Sequence, residues 1–408
     1  APARGQDFYD WFLSFPTLKA LTDSGQYLRV PTGRRFIEHP AYDSVWQRRA
    51  FQQLVQRSNV PTLTVGGWWD QEDLFGPQAT YRALVRHDST GSNLLVVGPW
   101  YHRQWADANG ASLGNLQFGS ATADSFRIRI QAPWLAYWLK GRGDGHFPAA
   151  QLFDAGTDRW RTFDRWPPHA AVGRSLYLHA TGELSFTPPT VRTGVDQYRS
   201  DPASPVPHQP RPVTDNDWTR WMTEDQRFVT GRPDVLSWRT APLQQDVVVA
   251  GGITARLFAA TTGSDADWVV KLIDVYPDSV TDRPAMNGYQ LMVAGDIMRG
   301  RYRQSFERPE AIPPNVVESY TVDMHQQFYT FRRGHRIMVQ VQSTWFPLYD
   351  RNPQTFVPNI FLAPASAYRV QTHRIYRTLA QPSRVDVMVL QSRDLHQPML
   401  PRRIRPLQ

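Results

Sequence analysis

The chain contains no cysteine. That excludes disulfide staples and thiolate metal sites, so stability has to come from packed cores. It also lacks any run near the roughly 20 apolar residues that a membrane-spanning helix needs, and nothing points to a membrane partner. Blocks of one charge are missing as well. The net charge is +8 and the isoelectric point about 9.7, but the arginines are scattered. The longest basic run is short, Arg402-Arg403 followed by Arg405. With no recognisable recognition module beside it, this balance argues against a nucleic-acid partner. No secretory leader stands at Ala1, as is also true of a processed chain. There is no internal repeat and no long low-complexity tract.

What is present is substantial. A length of 408 residues exceeds one usual domain and implies two or more cores. Aromatic residues make up 12% of the chain, with 15 Trp, and such side chains line cores, pockets and interfaces. The 33 prolines point to many turns, as in a β-rich architecture.

One stretch organises the rest. Val60 to Val65 is a short β-branched run and reads as a buried strand. Gly66-Gly67 stops it, and Trp68-Trp69-Asp70-Gln71-Glu72-Asp73 follows. Leu94 to Val97 is a second such strand, ended by Gly98-Pro99-Trp100-Tyr101-His102. Between them Pro77 to His87 has helical spacing at Tyr81, Leu84 and Val85. Strand, helix, strand is a parallel crossover. Residues just past the carboxyl ends of parallel strands face the ligand crevice, so Asp70 and His102 are expected on one rim. Asp then His after late strands is the second half of the Ser…Asp…His order of α/β-hydrolases. On spacing alone, Asp70 as a helix cap and His102 as a loop residue fit equally well.

Around this frame, Phe8, Trp11, Phe12 and Phe15 predict a helix ended by Pro16, and Tyr42 to Val55 predicts a second one. A long helix is expected from Asp124 to Leu139, with Phe126, Ile130, Trp134, Leu135 and Trp138 inward and Gly141 beyond its end. Leu152-Phe153 and Trp160 to Phe163 read as a hairpin turned at Gly156-Thr157-Asp158. From Ser175 onward the pattern becomes short alternating strands: Ser175 to His179, Asp246 to Val249, Thr254 to Ala259, Trp268 to Val275 and Arg336 to Gln342. That is an antiparallel sandwich. Asp201 to Pro212 is proline-rich and reads as a surface loop.

The segments around Asp70 and His102, with Trp268 to Val275 and Trp345 to Pro353, resemble the α-amino acid ester hydrolases. These belong with the cocaine esterases, glutaryl acylases and X-prolyl dipeptidyl peptidases. The resemblance runs over nearly the whole chain. It implies a cap-like helical segment at 1–58, the C-terminal half of an α/β-hydrolase domain at 59–170 and a jelly-roll β-sandwich at 171–408. It implies hydrolysis of α-amino acid esters and β-lactam-type amides, with Asp70 and His102 as triad members. Glu72 and Asp73 match positions of a carboxylate cluster that binds the substrate α-ammonium, a pair that the cocaine-esterase branch lacks. The plainer reading of Glu72 and Asp73 is favourable charge near the start of the following helix. The resemblance further implies a periplasmic or secreted homo-oligomer with no cofactor.

Other candidates carry less. Asp43 fits a helix cap. Gly263-Ser264-Asp265-Ala266-Asp267 lacks the twelve-residue calcium-loop pattern and reads as a turn, so no metal site is expected. Trp345 and Phe346 fit either a pocket wall or core, and His335 and His373 are isolated. No Gly-x-Ser-x-x-Gly-like nucleophile elbow between a strand and a helix precedes Asp70, and Ser14, Ser24, Ser44 and Ser58 lack that setting. The expectation is that a segment or companion chain absent from these residues carries the nucleophilic serine. The alternative from another class is a non-catalytic jelly-roll module that binds a ligand on a partial hydrolase scaffold.

Overall fold

The computed structural model describes residues 5–24, 27–55, 60–214, 217–391, 394 and 402–403. Ser58 lies outside them.

The parallel crossover forms as expected. Strands β1 (Thr62–Gly67) and β2 (Asn93–Gly98) pair in parallel, joined through helix α1 (Gly76–Val85). Two glycines permit the close approach at the strand ends. A Cβ on Gly67 would sit 2.2 Å from the Trp100 carbonyl oxygen, and one on Gly98 would sit 2.4 Å from the Trp100 ring. A side chain would have to displace the Trp100 backbone at Gly67 and the buried Trp100 ring at Gly98.

The hairpin also forms, as β3 (Ala150–Asp154) and β4 (Arg159–Phe163). Its place was not legible in the sequence: β3 docks in parallel beside β2, so the sheet has four strands in the order β1-β2-β3-β4. On its other side β1 pairs with no strand among the described residues. The expected long helix runs from Thr122 to Lys140 but widens to a π-turn over Arg127–Gln131, next to the missing N–H of Pro133. Its left-handed C-cap is Gly141. Phe126, Ile130 and Trp134 face inward as expected; Leu135 does not and is exposed.

Beyond Phe163 lie two antiparallel sheets. In the first, β5 (Val172–Leu178), β6 (Val195–Ser200), β8 (Val247–Thr261), β11 (Glu318–Phe331), β13 (Gln371–Tyr376) and β14 (Arg384–Leu390) assemble around β8. In the second, β7 (Leu236–Arg239), β9 (Asp267–Val275), β10 (Gln290–Arg299) and β12 (Arg336–Gln342) run in the order β7-β12-β9-β10. The expected strands at Asp246 to Val249 and Thr254 to Ala259 are one strand, β8. A bulge between Gly252 and Thr254 hides its continuity.

One hydrophobic cluster runs through all three sheets, from Trp68, Val97 and Leu152 to Val249, Leu272 and Tyr329. Asp154 fastens the hairpin from inside: its buried carboxylate accepts from Thr330 N (2.9 Å) and Thr330 Oγ1 (2.6 Å).

The N-terminal region is helical but more broken than expected. The helix Phe8–Leu13 is capped by Asp7, and two unexpected helices follow, Leu18–Asp23 and Pro31–Glu38. The helix expected from Tyr42 to Val55 is two short ones, Ser44–Gln47 and Phe51–Leu54, because the backbone leaves the helical region at Ala50. Asp43 caps the first of them, as expected. The stretch from Asp201 to Pro212 is not a surface loop. Val206, His208 and Gln209 are buried, because its backbone pairs with the chain at Phe346 (Phe346 N to Val206 O, 2.9 Å; His208 N to Phe346 O, 2.8 Å).

Candidate functional site

The ends of β1 and β2 bring Asp70 and His102 together. Trp68 N donates to Gly98 O (2.9 Å) and Trp69 N to Trp100 O (3.2 Å), which prolongs the pairing past the strands. The two indoles then lock the loop. Trp68 Nε1 donates to Phe153 O (2.8 Å), and Trp69 Nε1 donates across to Met292 O on β10 (3.0 Å). Asp70 is thus held between the parallel sheet and the antiparallel one.

The Asp70 side chain is fully buried. Its Oδ1 accepts the backbone N–H groups of Glu72 (2.9 Å) and Asp73 (2.8 Å), and His102 Nδ1 lies 3.2 Å from Oδ1 and 3.3 Å from Oδ2. Burial pushes the Asp70 carboxyl above the usual carboxylate range; the two N–H bonds and the adjacent imidazole pull the other way. With Asp70 ionised, Nδ1 has to carry the imidazole proton, which leaves Nε2 as the basic nitrogen. Arg103, directly after His102, sits in the left-handed region at φ 66°, a conformation that costs a non-glycine residue energy and recurs at functional turns.

Asp73 joins this pair: its Oδ2 is 3.5 Å from His102 Nδ1. Glu72 is exposed and accepts from Trp218 Nε1 at 3.4 Å. Asp70, Asp73 and His102 offer oxygen and nitrogen atoms within 4.8 Å of one another, a spacing that one cation can share. All four residues singled out in the sequence therefore lie at one rim.

Sequence reasoning missed three residues here. Gln71 Oε1 accepts the His102 N–H (3.2 Å). Gln104, buried, accepts the Tyr101 N–H (3.2 Å) and donates to Ser112 O (2.9 Å), fixing the turn that carries His102. Trp218 arrives from a remote loop. Neither glutamine has a chemical signature, and nothing in the sequence ties Trp218 to Glu72.

The secondary candidates resolve as structure. Asp265 is buried against Arg301 (2.8 and 2.6 Å), and Asp267 against Arg299 and Asn352. Trp345 and Phe346 are core. His373 is fully buried against Gln354 (2.7 Å), and burial pushes its pKa down to about 3. His335 holds Asp274 at 2.9 Å. Ser14 and Ser24 close helices and Ser44 begins one. No serine hydroxyl bonds to His102 among the described residues. No helix among them is long and apolar enough to cross a membrane.

Residues 17–104, which hold Asp70 and His102, match the X-Pro dipeptidyl-peptidase S15 family. Residues 131–386 match the X-Pro dipeptidyl-peptidase C-terminal non-catalytic domain. Cocaine esterase of Rhodococcus sp. (strain MB1 Bresler) is 30% identical over 331 residues, 78% of this chain and 54% of that protein. The structure of an aminopeptidase from a marine sediment Thaumarchaeota archaeon superimposes with a TM-score of 0.93 at 41% identity, over 96% of this chain and 65% of the other. That of an α-amino acid ester hydrolase gives 0.92 at 40% identity, over 95% and 65%. The chain spans about half the length of the curated relatives it matches. The chain belongs to the X-Pro dipeptidyl-peptidase family, together with cocaine esterase and the α-amino acid ester hydrolases.

Proposed function

We propose that this chain forms part of a serine-dependent hydrolase acting on α-amino acid esters and β-lactam-type amides. The observation that carries the reading is the contact between buried Asp70 and His102 at the ends of two adjacent parallel strands. Asp70 holds the Nδ1 proton and stabilises the imidazolium; Nε2 takes the serine proton and returns it to the leaving group. Glu72 and Asp73 attract the substrate α-ammonium. The serine comes from a polypeptide segment outside these 408 residues. The edge of β1 that pairs with no strand among the described residues supports this, since a parallel sheet is normally extended and covered rather than left open. The two antiparallel sheets are read as a jelly roll, and the protein as an exported one.

The test compares methyl esters of phenylglycine and of phenylacetic acid, which differ by the amine. The active protein should hydrolyse the amino ester with higher kcat/KM. The combined Glu72→Gln and Asp73→Asn variant should lose most of that preference, by up to about 30-fold for two exposed carboxylates each worth at most about 1 kcal/mol to a cation. Equal losses on both esters would reduce the cluster to a structural role.

A second reading is a module that binds ligands without catalysis, favoured by the non-catalytic description of the domain matched at 131–386. A serine-directed phosphonate separates the two. Labelling of a serine outside these residues, abolished by His102→Ala, supports the hydrolase. No labelling and no turnover in the full assembly supports the module.

A further inference from the structure

Several arginines of the antiparallel region are matched to an acid. Arg232 pairs with Asp234, Arg256 with Asp386, Arg299 with Asp267 and Asp350, Arg301 with Asp265, and Arg377 with Asp196. At one place four arginines without such an ion pair share a single concavity. Helices Pro31–Glu38 and Ser44–Gln47 border an open cavity of about 650 Å³, lined by Arg34, Arg35, Glu38, His39, Arg48 and Arg49. None of these four guanidinium groups forms an ion pair among the described residues. Glu38 is the only acid in the lining. Two further acids lie near the helices and are already engaged: Asp43 accepts from Val45 N (2.9 Å) and is bonded to His39 Nδ1 (2.6 Å), and Glu307 accepts from Gln47 Nε2 (2.9 Å).

The frame that presents the arginines is built. The Phe36 ring stacks on Trp46 at 5.3 Å, Trp46 Nε1 donates to His39 O (2.8 Å), and Arg49 donates to Val45 O (2.7 Å). Four like charges held around one concavity repel each other, and a multiply charged anion relieves that repulsion. The planar fork of arginine matches the oxygens of a phosphate group in pairs. None of Asp70, Glu72, Asp73 and His102 lines this cavity.

We propose that this cavity binds a compact anion carrying two or more linked phosphate groups. Four guanidinium groups carry more positive charge than one phosphate neutralises, which favours an anion with linked phosphate groups.

The test is calorimetric titration of the full protein with inorganic tripolyphosphate at 50 and 200 mM salt, with inorganic phosphate in parallel. Tripolyphosphate should bind at least 10-fold tighter than phosphate. The Arg34→Ala and Arg48→Ala double variant should weaken it at least 10-fold, and a variant with all four arginines changed to Lys should weaken it several-fold while keeping the charge. Arg256→Ala, removing an arginine far along the chain, should change nothing. Hydrogen exchange should show tripolyphosphate protecting residues 31–49, a readout independent of the variants' folding. Absence of binding, binding unaffected by the Arg34 and Arg48 changes, or equal loss with Arg256→Ala would overturn the proposal.

Discussion

Lys271 offers the sharpest test of the energetics. It lies mid-strand on β9 and is fully buried. Its Nζ donates to Gln226 Oε1 (2.7 Å) and stands over the rings of Trp345 (5.2 Å) and Phe228 (5.6 Å). No carboxylate pairs with it among the described residues. Burial pushes its pKa from 10.5 down to about 7. Between those two values the unfolded chain binds the extra proton, so stability rises with pH across that window. The penalty is full at and below about pH 7. At about 1.4 kcal/mol per pH unit it is on the order of 5 kcal/mol. Lys271→Met removes the penalty with little change of volume, but leaves Gln226 Oε1 buried without its donor, a loss of about 1–3 kcal/mol. The variant should therefore be more stable than the parent by about 2–4 kcal/mol at pH 7. By pH 9.5 most of the penalty has gone from the parent, and the gain should vanish or change sign. Urea unfolding followed by tryptophan fluorescence at the two pH values measures this. An equal effect of the substitution at both pH values would refute the argument, as would a large destabilisation at pH 7.

The remaining predictions are more direct. Asp70→Asn should lower kcat by about 10³–10⁴ by removing the group that fixes the imidazole tautomer, while thermal unfolding moves little; near-normal turnover would remove Asp70 from the mechanism. Gly98→Ala should destabilise by about 1–3 kcal/mol, since its Cβ meets the Trp100 ring at 2.4 Å; an unchanged denaturation midpoint would contradict that packing. His208 is buried, and its pKa is pushed down from 6.5 to about 4. The unfolded chain therefore takes up the proton first, and up to about 3 kcal/mol of stability is lost as pH falls from about 6.5 to 4. Acid unfolding of His208→Gln should show a correspondingly shallower slope over that range.

The legibility of the sequence followed the range of the forces involved. β1, α1, β2 and the hairpin were readable because each depends on local periodicity and on glycine stops. Their assembly was only half readable. Nothing in Ala150–Asp154 says that it docks beside β2, because sheet order is set by contacts distant along the chain. Asp201 to Pro212 looked like a surface loop because proline is common in loops, yet backbone pairing with Phe346 draws it inside. Tyr42 to Val55 showed the opposite failure: apolar spacing suggested one helix, and the backbone at Ala50 broke it. At the site, the charged residues were visible because acids next to a strand end are chemically conspicuous. Gln71 and Gln104, which hold the same turn through neutral hydrogen bonds, were not.

An Asp–His contact is by itself weak evidence of catalysis in this molecule. His39–Asp43 (2.6 Å), His325–Asp296 (2.7 Å) and His335–Asp274 (2.9 Å) are all closer than His102–Asp70 at 3.2 Å. The surroundings separate them. Asp43 is a helix cap whose carboxylate is partly exposed, so its imidazole is held only by a local turn. Asp274 spends one oxygen on the Tyr329 hydroxyl (2.7 Å) within the buried core. Asp70 alone combines a buried carboxylate, two backbone N–H donors from its own turn and an imidazole presented by the next parallel strand. That arrangement fixes the acid while leaving the histidine partly accessible at 27% side-chain exposure. A general base needs both properties: a partner that does not move and a second nitrogen that a reacting hydroxyl can reach. The distance places Asp70 and His102 in contact; the backbone clamp and the strand-end position set that contact apart from the other three and support the proposed role of His102 as a general base.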